Sequence, residues 1–247
     1  MSPWHELNRG CGYATDALTQ AELVAVRAMV HDQYLAGLRA VAPEFVGPAA
    51  TTGIDRYHTL PIRFDHDLHW SKTRRTLSGS TVPAFESMGF FRRIRAMLPS
   101  AQVYPDDLMW RIVRPGQPGD VGPVHADKWF WDAGNGSIPA NRDRLKVWIA
   151  LYTEPGLNGL CVKPHSQLTN HWKHHFEFKH GRSKPVLDED ESALNMQLLP
   201  LKSGEMVLFH DGLLHGGVVN RGQACRVSLE LTATYLADEG ATLSAAA

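Results

Sequence analysis

The N-terminal part of the chain carries its apolar side chains at the spacing of amphipathic helices. Between Thr19 and Val41 an apolar residue recurs every three or four positions, and Thr19 forms a capping box with Glu22 at the start of this stretch. The pattern predicts a helix whose apolar stripe packs in the core; a partner-binding groove is the alternative. A similar stripe over residues 83–98 predicts a second helix, with its arginines on the open side.

The stretch between these two helices is rich in proline and glycine, which predicts irregular structure. Within it, Phe64-Asp-His66-Asp-Leu-His69 places two histidines beside two aspartates. This stretch lacks the closed ligand set of a structural zinc site. We therefore expect His66 and His69 to be solvated turn residues, and a second metal site is the alternative.

From Asp106 onwards the period of the apolar positions changes to two and β-branched residues become frequent, which is typical of strands. The predicted strands cover residues 108–113, 145–152, 159–163, 196–199, 205–209, 215–219 and 226–232. Many short strands separated by glycine and proline turns indicate a β-sandwich or a barrel. The fold class that follows is mainly β, behind a helical N-terminal part.

Composition and charge narrow the classes of protein that fit. A chain of 247 residues suits one large domain, and its 43% hydrophobic and 21% charged residues are typical of a globular protein. A net charge of -1 gives no reason to expect nucleic acid or a membrane surface as a partner. No apolar run reaches transmembrane length, no signal-peptide pattern opens the chain, and the 3 cysteines are scattered. We expect a cytoplasmic protein acting on a small molecule; the sequence indicates no oligomeric state.

The candidate chemistry begins at His125-Ala-Asp127. Two residues that lie two apart in an extended segment point to the same face, so this pair presents an imidazole nitrogen and a carboxylate oxygen together. These are two ligands of a facial metal triad, and His215, about ninety residues later, offers the third. Arg226 and Ser228 follow on the next predicted strand.

This order of residues resembles that of the Fe(II)/2-oxoglutarate oxygenases, and among them the phytanoyl-CoA dioxygenase-like family, over residues 104–236. The resemblance implies a double-stranded β-helix (jelly roll) there, behind a helical preface at about residues 1–103. It also implies that His125, Asp127 and His215 hold Fe(II) and leave three positions for 2-oxoglutarate and O2. The alternative is a set of core or capping residues without metal; structural zinc lacks a fourth ligand.

The resemblance assigns further residues to the cofactor. Arg226 would bind the distal carboxylate of 2-oxoglutarate through two parallel hydrogen bonds, and Ser228 would donate to it from the same strand face. Trp148 matches a family aromatic that lines the cofactor pocket, with plain core packing as its alternative. Arg111, rather than Arg114, is our candidate for a polar cofactor contact, and a solvated strand face is the alternative.

Two other stretches suggest a substrate pocket. If the strand of His125 continues, Trp129 and Trp131 face the metal and Phe130 faces away, although core packing would also explain the tryptophans. Residues 165–184 are rich in histidine, lysine and arginine. They fit a lid for an anionic substrate, a second metal site, or a solvated insertion balanced by the acidic residues that follow. On a helix, His171, His174 and His175 would share one face.

The function that the resemblance implies is hydroxylation of an unactivated C–H bond, with release of succinate and CO2. Asp127 favours hydroxylation, because related halogenases have a small residue at this position so that halide can bind iron. The basic residues favour a small or medium polar, anionic metabolite, such as a sugar acid, an amino acid or a natural-product intermediate. The alternative is a cupin-like metal-binding isomerase or sensor, which has no need of the clamp at Arg226; a structural module would bind no metal.

Overall fold

The computed structural model describes residues 2–169, 172–179 and 182–246 of the chain. Its helices are α1 Pro3–Asn8, α2 Gln20–Val41, α3 Val46–Thr52, α4 His66–His69, α5 Lys72–Arg75, α6 Val82–Ser87, α7 Gly89–Met97, α8 Asp127–Asp132 and α9 Ala237–Ala246. Its strands are β1 Tyr13–Ala17, β2 Gln102–Val103, β3 Met109–Val113, β4 Arg142–Tyr152, β5 Leu160–Val162, β6 His174–Lys179, β7 Arg182–Leu187, β8 Gln197–Leu198, β9 Glu205–His210, β10 His215–Gly217 and β11 Arg226–Leu236. No helix among these residues is long and apolar enough to cross a membrane.

Two antiparallel sheets form the core of the β part, and β6 and β7 form a separate two-stranded sheet. The larger sheet has the order β1-β9-β4-β11-β2, and β3 also pairs with β11. The smaller sheet has the order β10-β5-β8, and an isolated bridge between His125 and His215 extends it. From β8 to β11, successive strands alternate between the two layers, which is the strand arrangement of a jelly roll. The predicted fold class, mainly β with a jelly-roll core, is confirmed.

The side chains of β4 divide between two apolar clusters, as the period of a strand requires. Val147, Ile149 and Leu151 join the main core, which also contains α2 and α7 residues. Trp148 and Ala150 point to the opposite side and join a smaller cluster with residues of β5 and β9. The face of β4 that carries Trp148 therefore lies between the two sheets.

The predicted first helix is confirmed as α2. Thr19 Oγ1 accepts a hydrogen bond from the Glu22 amide at 3.2 Å, and Glu22 Oε2 accepts one from the Thr19 amide at 2.8 Å, which completes the capping box. The apolar stripe is buried in the main core, so the partner-groove alternative is wrong.

The predicted second helix is instead two helices, α6 and α7. They are separated at Met88, whose backbone is extended with φ -69 and ψ 152. Glu22 Oε1 accepts a hydrogen bond from the Phe90 amide at 2.9 Å, so a side chain from α2 satisfies a donor in the first turn of α7. The sequence pattern could not predict this hydrogen bond, because it joins residues that are far apart in the chain.

The expectation that His66 and His69 are solvated turn residues is wrong. Both are buried and form the short helix α4. The ring of His69 lies 4.2 Å from the rings of Phe64 and Trp70, and its Nδ1 accepts a hydrogen bond from Arg74. The aromatic rings packed against these histidines make this stretch part of the packed interior.

Four strands lie where none was predicted: β1, β2, β6 and β7. β1 pairs with β9 although it falls in the predicted helical preface, and β6 pairs with β7 as an antiparallel hairpin. The prediction of a helical face carrying His174 and His175 is therefore wrong, because adjacent strand residues point to opposite sides. His171 and His180, which belong to the same basic segment (residues 165–184), lie outside the described residues.

Candidate metal centre

His125 and His215 face each other across the smaller sheet. The amide of each donates a hydrogen bond to the carbonyl of the other, at 3.0 Å from His125 and 2.9 Å from His215. Their rings lie with centroids 4.5 Å apart. The backbone therefore places the two imidazoles side by side.

Hydrogen bonds orient both imidazoles. The Nδ1 of His125 lies 2.9 Å from the carbonyl oxygen of Pro123, and the Nδ1 of His215 lies 2.9 Å from that of Leu213. A carbonyl oxygen only accepts, so both Nδ1 atoms carry a proton and donate it. In the neutral rings, each Nε2 then has a free lone pair, which is the form that a metal ligand needs.

Asp127 completes the group from the first turn of α8. Ala126 is extended, so Asp127 follows His125 with the geometry of a strand before the helix begins. Its Oδ1 lies 3.6 Å from His125 Nε2, and its Oδ2 lies 3.6 Å from His215 Nε2. One ligand atom from each of the three residues lies within 4.8 Å of the others. Two imidazoles and one carboxylate at this spacing match the donor set of a facial triad.

Charge and burial keep this group in its ligand form. Burial disfavours the charged carboxylate of Asp127, but the Lys146 ammonium, His215 and His125 together outweigh this effect and hold the pKa of Asp127 well below its ordinary value. Burial lowers the pKa of His215 to about 4, although the Asp127 carboxylate acts in the opposite direction. At neutral pH Asp127 is therefore ionised and His215 is neutral.

The predicted orientation of the residues after Asp127 is wrong, because the strand ends and α8 begins. The ring of Trp129 stacks on that of His174, with centroids 4.1 Å apart and planes 5° apart. Trp131 packs edge-on against Tyr104 instead of facing the metal ligands. Phe130 is the aromatic residue beside the centre, with its ring perpendicular to that of His125 at 5.6 Å.

Arg226 and Ser228 lie together at the start of β11. Arg226 Nη1 donates a hydrogen bond to Ser228 Oγ at 2.8 Å, and the arginine is only 3% exposed. Its Nε is buried without a hydrogen-bond partner, and no carboxylate of the described residues lies within 4.0 Å of its guanidinium nitrogens. Burial lowers the pKa of Arg226 to about 10. A buried guanidinium with an unused donor fits an added carboxylate, as 2-oxoglutarate carries.

Trp148 and Arg111 occupy the same interior layer. Trp148 is buried, and the Arg226 guanidinium carbon lies 5.8 Å from the centre of its ring. Arg111 Nε lies 2.8 Å from Glu230 Oε1, so the arginine is paired with a carboxylate of the protein. Arg114 makes bonds of 2.9 and 2.6 Å to the two carboxylate oxygens of Asp120.

Lys146 and Glu230 are site neighbours that the sequence analysis did not identify. Lys146 Nζ lies 3.4 Å from Asp127 Oδ2, and Glu230 forms the ion pair with Arg111. Both have a signal in the sequence: Lys146 lies two residues before Trp148, and Glu230 two residues after Ser228. Charged residues on an inward strand face, next to candidate site residues, indicate such positions.

The basic segment supplies no metal site among the described residues. Apart from the triad, the group of described residues that could hold a metal ion is His66, Asp67 and Asp120. Arg114 already binds both oxygens of Asp120 there. In the hairpin, His175 Nδ1 pairs with Asp188 Oδ1 at 2.5 Å.

Comparison with known proteins completes this picture. The family model for phytanoyl-CoA dioxygenase (PhyH) matches residues 16–228. EvdO2 from Micromonospora carbonacea var. aurantiaca, complexed with 2-oxoglutarate, superposes with a TM-score of 0.60 at 15% identity, over 94% of this chain and 89% of that chain. EctD from S. alaskensis with 2-oxoglutarate and 5-hydroxyectoine superposes with a TM-score of 0.55 at 17% identity, over 97% of this chain and 77% of that chain. The non-heme monooxygenase ThoJ in its apo form superposes with a TM-score of 0.57 at 17% identity, over 94% of this chain and 77% of that chain.

No curated protein sequence matches the chain. At these low identities the solved structures establish a shared fold, whereas the family model covers most of the chain. The chain belongs to the phytanoyl-CoA dioxygenase family and is an Fe(II)/2-oxoglutarate-dependent oxygenase.

Proposed function

We propose that the protein hydroxylates an unactivated C–H bond of a small or medium polar, anionic metabolite, and that His125, Asp127 and His215 hold the iron. The observation that carries the proposal is that two unprotonated Nε2 atoms each lie 3.6 Å from an oxygen of one carboxylate. Iron with 2-oxoglutarate and O2 supplies the oxidising power, and succinate and CO2 are released. The protein supplies ligands, orientation and exclusion of water.

Binding of the cosubstrate is assigned to Arg226 and Ser228. A buried guanidinium without a carboxylate is costly, and the distal carboxylate of 2-oxoglutarate would provide the missing partner. Nε, which lacks a partner, is the donor that this carboxylate would use. Trp148 would then form an apolar wall beside the clamp. Arg111 would act through Glu230, since its guanidinium is already paired.

Hydroxylation, rather than halogenation, is supported by the carboxylate of Asp127. A carboxylate ligand fills a coordination position that halide would otherwise need. Phe130 and Phe209 support the proposed iron site, because their rings pack on His125 and His215 and reduce the access of water to the imidazoles.

An anionic substrate is supported by the basic residues near α8. Lys128 is exposed on α8 itself, directly after Asp127. The β6–β7 hairpin, to which Lys184 belongs, contacts α8 through the stack of His174 on Trp129. Positive charge in this region would attract an anion. A lid role for the hairpin fits this arrangement.

The test needs no substrate. The protein is loaded with Fe(II) without oxygen and titrated with 2-oxoglutarate, and the visible charge-transfer band of the chelate is recorded. We expect the band in the wild type and in Asp132→Ala, an exposed aspartate of the same helix, but not in Asp127→Ala. Iron binding without a band would favour a cupin-like isomerase or sensor, and absence of iron binding would remove the triad from the proposal. A screen of anionic metabolites for succinate release then tests the substrate class.

A further inference from the structure

Lys146 is a buried cation that points at the candidate metal ligand Asp127. It is 5% exposed, and its Nζ lies 2.5 Å from Asp107 Oδ2, 2.7 Å from Thr232 Oγ1 and 3.4 Å from Asp127 Oδ2. Asp107 and Thr232 accept hydrogen bonds from this ammonium, and Asp127 forms an ion pair with it. Asp107 is itself held by Lys72, whose Nζ lies 3.1 Å from Oδ1.

Stability alone does not explain a lysine at this position. Burying an ion pair is commonly no better for stability than an apolar residue of similar size. The next two inward positions of β4 are apolar, Trp148 and Ala150, and both belong to the cluster between the sheets. A charged residue at position 146 therefore indicates a function that needs a positive charge or a hydrogen-bond donor.

Asp127 has few other partners. Apart from the imidazoles of His125 and His215, Lys146 provides the basic group within 4.0 Å of its carboxylate among the residues that the structure describes. Because both Nδ1 atoms carry the ring proton, neither Nε2 donates a hydrogen bond to the carboxylate. Lys146 then remains as the restraint on Asp127.

We propose that Lys146 is a positioning residue: with Asp107 and Thr232 as anchors, its ammonium holds one oxygen of Asp127 and leaves the other for the metal. Partners of metal-binding carboxylates in the outer sphere orient the ligand and are worth about 10–100-fold in metal affinity. Lys146 fixes the carboxylate as a one-oxygen ligand, and this keeps a coordination position open for the cosubstrate. The inference rests on the proposed function, since it takes Asp127 as an iron ligand.

The direction in which the Fe(II) affinity changes distinguishes a positioning role of Lys146 from a purely electrostatic effect. A cation next to a metal site repels the metal, so removing it would tighten binding if Lys146 did nothing else. If Lys146 positions Asp127, Lys146→Met weakens Fe(II) binding by about 10–100-fold. It also diminishes the charge-transfer band at saturating iron and 2-oxoglutarate.

The experiment measures the Fe(II) dissociation constant by chelator competition without oxygen, together with the band, in Lys146→Met. Lys163→Met is the matched control, because Lys163 Nζ donates to the Leu194 carbonyl and not to Asp127. Circular dichroism melting verifies the fold. Because Lys146→Met leaves Asp107 without one partner, the double variant Asp107→Asn/Lys146→Met, which removes both charges, is measured in parallel.

Weaker iron binding in both folded variants, with the control unchanged, is the expected result. Iron binding that is unchanged or tighter in either folded variant overturns the positioning role. The wild type separates this outcome from a failure of the proposed function, because a wild type without iron binding or without the band refutes the function itself.

Discussion

His125 and His215 hydrogen-bond to each other through both backbone amides, although they lie on strands far apart in the sequence. This reciprocal pair forms without any contribution from their side chains. The positions of the two Nε2 atoms therefore depend on the sheet and on the carbonyls of Pro123 and Leu213, which orient the rings. The backbone and these two carbonyls therefore determine where the possible ligand nitrogens lie.

The first prediction is that His215→Ala loses the metal but keeps the fold. The backbone bridge survives the change, whereas a ligand nitrogen is removed, so the Fe(II) dissociation constant should rise by more than about 100-fold, beyond the usual cost of an outer-sphere change. Chelator competition measures the constant and thermal melting measures stability. His175→Ala, in the exposed hairpin, is the control. Wild-type iron affinity in His215→Ala would exclude this residue as a ligand.

The second prediction concerns Arg226. Arg226→Ala should raise the dissociation constant for 2-oxoglutarate by about 10–100-fold, because hydrogen bonds to charged groups contribute about 1.5–3 kcal/mol. Arg226→Lys should also bind weakly, since an ammonium cannot make two parallel bonds to a carboxylate. Iron affinity should stay at the wild-type level in both.

The charge-transfer band in the presence of iron gives the 2-oxoglutarate affinity directly. Arg221→Ala, an exposed arginine of the preceding turn, is the matched control. If Arg226→Ala binds 2-oxoglutarate as the wild type does, the clamp lies elsewhere in the chain.

The sequence predicted the parts of this fold that depend on local periodicity and on motif order. The capping box at Thr19, the strands from residue 108 onwards and the approach of Asp127 to His125 follow from rules that act over a few residues. The position of His215 beside Asp127 was predicted from the family resemblance, because no rule that acts over a few residues connects it to His125 and Asp127.

What the sequence could not supply depends on tertiary partners. The strand at His125 ends at Ala126, so Phe130 rather than Trp129 meets the imidazole. His66 and His69 are buried because the rings of Tyr57, Phe64 and Trp70 pack against them. In both cases the local pattern is compatible with two structures, and packing decides between them.

The third prediction is that Glu22→Ala destabilises two helices at once. Its Oε2 accepts from the Thr19 amide at 2.8 Å, and its Oε1 accepts from the Phe90 amide at 2.9 Å, so the change removes caps from α2 and α7. We expect the free energy of unfolding to fall by about 2 kcal/mol, about 1 kcal/mol for each cap. Urea denaturation measures it, with exposed Glu44→Ala as the control. A loss as small as that of the control would show that water replaces both caps.

The fourth prediction is acid destabilisation through His69. Burial, reinforced by the neighbouring Arg74 guanidinium, lowers the pKa of His69 to about 4. In the unfolded chain the pKa of histidine is about 6.5, so between these values the unfolded state binds more protons than the folded state. The stability that neutral His69 contributes is thus complete above about pH 6.5 and is lost as the pH falls to about 4, up to about 3 kcal/mol.

His69→Gln tests this assignment, because glutamine still offers Arg74 an acceptor but does not titrate. We expect urea denaturation between pH 7 and pH 4 to show a smaller loss of unfolding free energy in His69→Gln than in the wild type. His31→Gln, on the half-exposed side of α2, is the control for the substitution itself. Because His66 and His58 are also buried enough to have lowered pKa values, part of the slope should remain. An unchanged slope in His69→Gln would mean that His69 becomes protonated in the folded protein as readily as in the unfolded chain.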